Sequence, residues 1–389
     1  MSSTTSSLES PRAAWDAYIG TLANESSAVE FVDQLLTLVE RTGASDVHLD
    51  PTESGLELRW RVDGVLQPLG AAPRVIAASA VARLKVLAGL LTYETALPQE
   101  GRLLTESTGA EFRVSTFPTL FGERAALRSL GAGSGGLDSF DKLGLPAAAA
   151  NDLRRALAST SGAVLIVGPA GGGKTTTAYA ALREVVQQSA GGRAIQSLED
   201  PIEVVVPGVA QSQVNEAAGF TMDTALKSLV RQDPEVLFLG EMRDFATAET
   251  TLQAALTGGL VVTTFHAGNA REALRRLVDM GIPKYAVEHA VRLIVSQRLV
   301  RRLCDCALDG EPTRDAHPLG YQVSRCRGPS GCERCAGTGY AGRTLLAEVH
   351  TGAALQEGSD DEPFHTAAEQ LIEFGFTSPA EIVRVLGWR

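Results

Sequence analysis

The run Gly168-Pro169-Ala170-Gly171-Gly172-Gly173-Lys174-Thr175 fits the pattern G-x-x-x-x-G-K-[ST]. In such a loop, glycines let the backbone curl until successive N–H groups point inward at phosphate oxygens. Lys174 would place its ammonium on the β- and γ-phosphates, and Thr175 would offer its hydroxyl to Mg²⁺. A helix expected to begin near Thr176 would add the positive end of its dipole. A Gly-rich turn can match this pattern by chance. Here, however, it directly follows the apolar run Ala163-Val164-Leu165-Ile166-Val167 and precedes a helical segment, which is the setting the motif requires. The expected ligand is a nucleoside triphosphate with its metal.

Hydrolysing such a ligand needs acidic groups beside the terminal phosphate, one for the metal shell and one to orient or deprotonate water. Val236-Leu237-Phe238-Leu239-Gly240-Glu241 reads as a buried strand ending in a carboxylate, the shape of a Walker B element. Ser197-Leu198-Glu199-Asp200-Pro201-Ile202-Glu203 puts three more acids beyond a short strand over 194–198. In an open parallel sheet, ligands sit at the carboxyl ends of strands, where all four acids fall. Solvated loop acids are the ordinary alternative, since Asp and Glu are mostly exposed. His266 ends a third strand, Leu260-Val261-Val262-Thr263-Thr264, and could sense the γ-phosphate or simply terminate the strand.

The five cysteines are confined to the stretch from Cys304 to Cys335. A disulfide scaffold would spread them out, whereas a local cluster in a reducing compartment suggests a metal.

Unbroken apolar strands separated by helices predict a parallel sheet covered on both faces, an α/β fold. Before it lies a different pattern. Val29 to Val39 has apolar residues at helical spacing. Alternating runs follow at Val47–Asp50, Leu56–Val62 and Glu111–Thr116, with Asp63-Gly64 as a turn and a helix from about Ala77 to Leu91. These describe a smaller α+β domain. The expected layout is a flexible tail over 1–28, the α+β domain over 29–130, a Gly-rich linker over 131–145, and the α/β domain over 146–389. The last would include a Cys-rich insertion at 303–343 and a helical C-terminal tail.

The chain has 389 residues, enough for about two or three domains. Its 44% hydrophobic and 21% charged residues are ordinary for a globular protein and exclude wholesale disorder. Net charge is 35 − 46 = −11. That balance opposes a role built on neutralising nucleic-acid phosphates, so no nucleic-acid partner is expected. No window reaches the roughly 18 apolar residues of a membrane span. The Ser/Thr-rich start lacks a secretory pattern, so a cytoplasmic location is expected.

Together the motifs resemble the ATPases of type II secretion and type IV pilus systems, over most of the chain from about Ala44 to Arg343. The pieces are Ala44–His48, Arg59–Gly64, Pro98–Arg102, Gly122–Arg124, Glu199–Glu203, Gly240–Asp244 and Thr257–His266, in that order. The resemblance implies a homo-hexameric ring with a PAS-like N-terminal domain and a RecA-like ATPase domain, at the inner face of the cytoplasmic membrane beside a platform protein. It implies ATP as substrate, Glu203 as general base, Glu199 as its polar neighbour, and Glu241 near Mg²⁺ and water. Arg113 and Arg128 match arginines that reach the phosphates. Charge spread over the transferring phosphoryl is neutralised well by a fixed guanidinium.

The assembly branch of that family often carries a four-Cys zinc knuckle, and Gly331–Arg343 is similar to its second half. The first half, normally C-x-x-C, is here Cys304-Asp305-Cys306, shorter by one. Cys332 and Cys335 are good zinc candidates, while Cys304, Cys306 or Cys326 could complete the set. The position commonly His in the family's His box is Gly259, which raises the question of a weakly active ring member. Alternatives to an assembly motor are a retraction ATPase, a nucleic-acid translocase and a non-catalytic nucleotide-binding scaffold.

Overall fold

The structure, a computed structural model, describes residues 11–22, 27–105, 108–130, 139–351 and 363–387. The Gly-rich core of the expected linker, 131–136, and the acidic run 357–362 lie outside the described residues. The protein forms two compact units.

The first unit contains α1 (Pro11–Thr21), α2 (Ala28–Thr42), β1 (Asp46–Pro51), β2 (Gly55–Val62), β3 (Val65–Pro73), α3 (Arg74–Leu87), β4 (Gln99–Leu104), β5 (Glu111–Thr119) and β6 (Gly122–Leu130). Its antiparallel sheet has the order β3-β2-β1-β6-β5-β4. Alternation along β2 buries Leu56, Leu58 and Trp60 and leaves Glu57 and Arg59 outside, as a sheet with one covered face requires. Helix α2 begins at an N-cap, the Ser27 hydroxyl accepting from the Glu30 N–H, and ends at Gly43 in the left-handed conformation.

Two expectations are corrected here. Part of the expected loose tail is helix α1, because Trp15 is buried against Phe31 and its indole N–H donates to the Leu69 carbonyl at 3.0 Å. The helix expected over 77–91 instead spans Arg74–Leu87, and the chain turns at Gly89, whose φ is +68°.

The second unit begins with α4 (Phe140–Leu143) and α5 (Ala147–Leu157). Then come β7 (Gly162–Val167), α6 (Lys174–Ser189), β8 (Ile195–Glu199), β9 (Ala210–Gln213), α7 (Met222–Leu229), β10 (Val236–Leu239), α8 (Phe245–Leu256) and β11 (Leu260–Phe265). After α9 (Ala270–Asp279) and α10 (Lys284–Ala290) comes the long strand β12 (Val291–Leu303). The short pair β13 (Leu308–Asp309) and β14 (Arg327–Gly328) flanks α11 (Pro312–Asp315). Strand β15 (Tyr340–Thr351) and helices α12 (His365–Glu373) and α13 (Pro379–Leu386) complete the fold.

The seven-stranded sheet has the order β15-β12-β7-β11-β10-β8-β9, and the pairs from β12 through to β9 run parallel. Every residue of β7, β10 and β11 is buried. Val164 and Ile166 join the core on one face of the sheet, and Ala163, Leu165 and Val167 join the core on the other. That double burial is what the unbroken apolar runs predicted. It also brings the C-terminal ends of β7, β8, β10 and β11 to one edge. Among the described residues, no helix is long and apolar enough to cross a membrane.

Candidate active site

The phosphate loop joins β7 to α6, which begins at Lys174, two residues before the expected start. Its glycines are required by space and by backbone angle. A Cβ on Gly168 would lie 2.5 Å from the Gln297 carbonyl oxygen, and Gly173 caps α6 with φ +82°. Gln297, fully buried on β12, donates from Nε2 to the Gly172 carbonyl at 2.7 Å. Because the C=O and N–H of one planar trans peptide point opposite ways, this bond turns the Gly173 N–H away from Gln297. The Oε1 of Gln297 is buried with no hydrogen-bond partner among the described residues.

Lys174 is only 8% exposed. Its ammonium donates to the carbonyls of Gly168 and Pro169, both at 3.0 Å, and stands 3.5 Å from Nδ1 of His266. Burial lowers its pKa, opposed by Glu241 and assisted by Arg298. A confined ammonium on a Gly-built cradle fits an anionic phosphate, which would return the charge stabilisation that burial removes.

Three strand tips complete the cavity. Glu199 is the last residue of β8, Glu241 lies two residues past β10, and His266 lies one past β11. They line a cavity of about 250 Å³ together with Gly171, Lys174, Thr175, Asp200, Glu203 and Arg243. That is slightly below the ligand-sized range of about 300–1,000 Å³, so it matches the phosphate end of a nucleotide. Gly168, Gly172, Gly173 and Thr176 are not on its lining; the three glycines shape the loop behind it.

The three glutamates differ in what already holds them. Glu241 accepts from His266 Nε2 at 2.6 Å and from Arg243 Nε at 2.8 Å. Glu199 is 2% exposed and saturated by Ser197 Oγ (2.6 Å), Gln211 Nε2 (3.0 Å) and the Tyr179 hydroxyl (2.5 Å). It is thus neither a solvated loop acid nor a free ligand. Among the described residues the Glu203 carboxylate carries no hydrogen bond or ion pair. Partial desolvation against the pocket walls, with the nearby Glu199 charge, pushes its pKa above the ordinary glutamate value.

Gly259 stands at the opposite end of β11 from His266. Its N–H donates to the Ala254 carbonyl, and its own carbonyl accepts from Gly162. Glycine there takes no side chain away from the phosphate cavity.

Arg113 and Arg128 belong to the first unit and face each other across β5 and β6. They sit in one cross-strand row, Arg61-Asp46-Arg128-Arg113-Arg102. Arg128 Nε donates to Asp46 Oδ1 at 2.8 Å, and Arg113 pairs with Glu100. Burial of Asp46 is outweighed by hydrogen bonds from Arg128 and Ser45, so its pKa is lowered.

The sulfurs of Cys304, Cys306, Cys332 and Cys335 lie within 4.8 Å of one another. Cys332 and Cys335 Sγ are 3.7 Å apart. Tetrahedral zinc with bonds near 2.3 Å sets ligand sulfurs about 3.8 Å apart, so the donor set fits a metal and the shortened C-x-C spacing suffices. Cys326 is not in this set. It is buried in the core with Val300, Tyr321 and Leu346, and desolvation, with Asp315 and Asp309, raises its thiol pKa.

Three residues at this site carried no role in the sequence reading. Gln297 sits in Ser296-Gln297-Arg298, between the apolar stretches Leu293–Val295 and Leu299–Val300, and a polar break within a strand was an available signal. Tyr179, an aromatic five residues after Lys174, carries no signal of its own in the sequence. Arg243 was visible only within the Gly240–Asp244 motif.

A family model described as "Type II/IV secretion system protein" matches residues 21–371. Type II secretion system protein E of Klebsiella pneumoniae is 36% identical over 383 residues, covering 93% of this chain and 76% of that protein. The type IV pilus assembly ATPase PilB of Thermus thermophilus is 35% identical over 335 residues, 84% of this chain but 37% of that longer protein. Among solved structures, the Legionella pneumophila ATPase DotB aligns with a TM-score of 0.63 at 18% identity, covering 93% of this chain and 96% of that one. The pilus retraction motor PilT with bound ADP aligns at 0.53 and 25% identity, covering 88% and 90%.

Proposed function

The chain belongs to the type II/IV secretion system protein family, and from that membership we propose that it is an ATP-hydrolysing motor driving assembly of a type IV pilus or a type II secretion pseudopilus. One observation carries the reading: a single cavity sets Lys174 and Thr175 of the phosphate loop against Glu241, His266 and an unengaged Glu203. Relatives named as secretion protein E and pilus assembly ATPase support the process served. The ADP described in the retraction motor supports the ligand class.

Lys174 and the loop N–H groups hold the β- and γ-phosphates. Glu203, with a raised pKa and no competing partner, takes the proton of the attacking water. Glu241 is fixed by His266 and Arg243 in an orientation that leaves it facing the same cavity. Thr175 and Glu241 would hold Mg²⁺, which when bound neutralises charge on the phosphate oxygens. Arg113 and Arg128, side by side on their sheet, are the guanidinium pair assigned to the transferring phosphoryl. Cys304, Cys306, Cys332 and Cys335, whose sulfurs lie together, would hold a zinc ion. The working form is a homo-hexamer on the cytoplasmic side of the inner membrane, coupled to a platform protein.

Phosphate release by the purified protein tests this. Lys174→Ala should abolish turnover, and Glu203→Gln should reduce it by about 100-fold or more. Undiminished turnover in Glu203→Gln removes the base assignment, and an inert wild-type protein with Mg²⁺ and ATP removes the motor. The retraction reading is favoured by the match to PilT. Deleting the gene separates the two: loss of surface fibres marks assembly, and their accumulation marks retraction.

A further inference from the structure

Burying a carboxylate is costly unless its oxygens are hydrogen-bonded, and Glu199 is buried with both oxygens engaged. One of its partners is Tyr179, on the helix that starts with Lys174. The Tyr179 ring packs edge-on against Phe238, so packing alone would be served as well by phenylalanine. The hydroxyl does something a ring cannot. It donates to Glu199 Oε2 at 2.5 Å, and its oxygen accepts from the N–H of Glu203 at 3.0 Å and of Val204 at 3.4 Å. A phenol has one donor, and Glu199 takes it, which turns the lone pairs toward the Glu203 backbone.

Gln211 holds the same stretch from the other side. Its Nε2 bridges Glu199 Oε1 and the Val204 carbonyl, and its Oε1 accepts from the Val206 N–H at 2.7 Å.

We propose that Tyr179, anchored by buried Glu199, is a positioning residue that fixes Glu203 relative to the phosphate loop. The inference rests on Glu203 being the base. Lys174 grips phosphate at the first turn of α6, and Tyr179 holds the base-bearing segment from the second turn. One rigid element therefore sets the distance between the phosphate and the group that activates water. Burial, reinforced by the bond to Glu199, raises the Tyr179 pKa, so the hydroxyl remains a donor at working pH.

The test compares Tyr179→Phe, Glu203→Gln and the double variant, reading kcat, KM for ATP and thermal midpoint. Tyr179→Phe should lower kcat about tenfold or more with KM changed less than about twofold, and should lower the midpoint as well, because Glu199 Oε2 and the N–H groups of Glu203 and Val204 lose their partner. In the Glu203→Gln background the same change should have no further effect. Gln211→Met loosens the segment independently and should also lower kcat, so it carries the test if Tyr179→Phe does not fold. A normal kcat in Tyr179→Phe, or an equal loss in both backgrounds, overturns the inference while leaving the base in place. Undiminished turnover in Glu203→Gln alone overturns the base assignment and the inference with it.

Discussion

Glu241 and His266 are joined by a 2.6 Å contact between Oε1 and Nε2, although they end different strands. The other ring nitrogen of His266 faces the Lys174 ammonium at 3.5 Å. A neutral imidazole with its proton on Nε2 satisfies both contacts at once, donating to Glu241 and accepting from Lys174. His266 is thus the link between the phosphate-gripping cation and the acid assigned to the metal shell.

Cutting that link should disturb catalysis more than binding. His266→Ala frees Glu241 to follow Arg243 and should lower kcat by about 10- to 100-fold, as loss of an outer-shell partner does. Nucleotide affinity should change little, because the loop N–H groups and Lys174 remain. Steady-state kinetics beside fluorescent-nucleotide titration check this. A rise in KM with kcat intact would place His266 in binding instead.

The raised pKa of Glu203 sets the direction of the pH profile. A base must be ionised to act, so the acidic limb of kcat/KM should lie above the ordinary glutamate value of about 4.3. Lys174, Arg243 and His266 face the same cavity, as do Glu199, Asp200 and Glu241. Desolvation and the Glu199 charge nevertheless dominate the shift. The stability sign is the reverse of a salt-bridged acid. With the folded pKa above the unfolded one, the native state binds more protons between them, and stability falls as pH rises through that window. Glu203→Gln should therefore raise the thermal midpoint slightly at neutral pH while lowering turnover. A limb at the ordinary value would show that burial does not reach this carboxyl.

The parts legible from sequence were those whose signal is local. Apolar runs such as Ala163–Val167 could not be mistaken because β7, β10 and β11 are buried on both faces, and Gly168–Thr175 carries its geometry in residue type. Three strands of the first unit were not read. Val65–Pro73 contains Pro68, Gly70 and Pro73, which read as turn, while Gln99–Leu104 and Gly122–Leu130 lack a clean apolar alternation. Their place in the sheet comes from partners distant in sequence. Helix α1 depends in the same way on Trp15 finding Phe31 and Leu69. At the site, residue types marked Lys174, Glu203 and Glu241, but the roles of Tyr179 and Gln297 exist only through contacts made after folding.

The cysteine geometry makes a prediction that sorts five similar residues. Elemental analysis of the purified protein should find about one zinc per chain. Cys332→Ser or Cys304→Ser should lose it, because each leaves three thiolates of the set. Cys326→Ser should retain it, since that thiol is packed in a separate core and held protonated by burial. Zinc loss in Cys326→Ser with retention in Cys304→Ser would exchange their assignments. Chelator treatment should lower the thermal midpoint of the wild type and leave that of Cys332→Ser unchanged.

Glu381 tests how the C-terminal helix is fastened. Its carboxylate is fully buried and accepts from the Arg301 N–H at 2.9 Å, from Arg301 Nε at 3.0 Å and Nη2 at 2.8 Å, and from Arg384 at 2.7 and 2.6 Å. These bonds tie α13 to β12, the strand that also presents Gln297 to the phosphate loop. Burial alone would raise the Glu381 pKa, but the bonds from Arg384 and Arg301 outweigh it and lower the value. Its stabilisation is therefore present above the unfolded pKa of about 4.3 and is lost as pH falls through the lower folded value. Glu381→Ala removes the buried carboxylate from beside a guanidinium that is itself mostly buried and should cost about 3 kcal/mol or more. Glu381→Gln keeps the shape and part of the hydrogen bonding, so it should cost less. Denaturant titrations of both variants at neutral and acidic pH check the ordering. The wild-type advantage over Glu381→Gln should shrink toward low pH, and an advantage independent of pH would show that the charge contributes nothing beyond its hydrogen bonds.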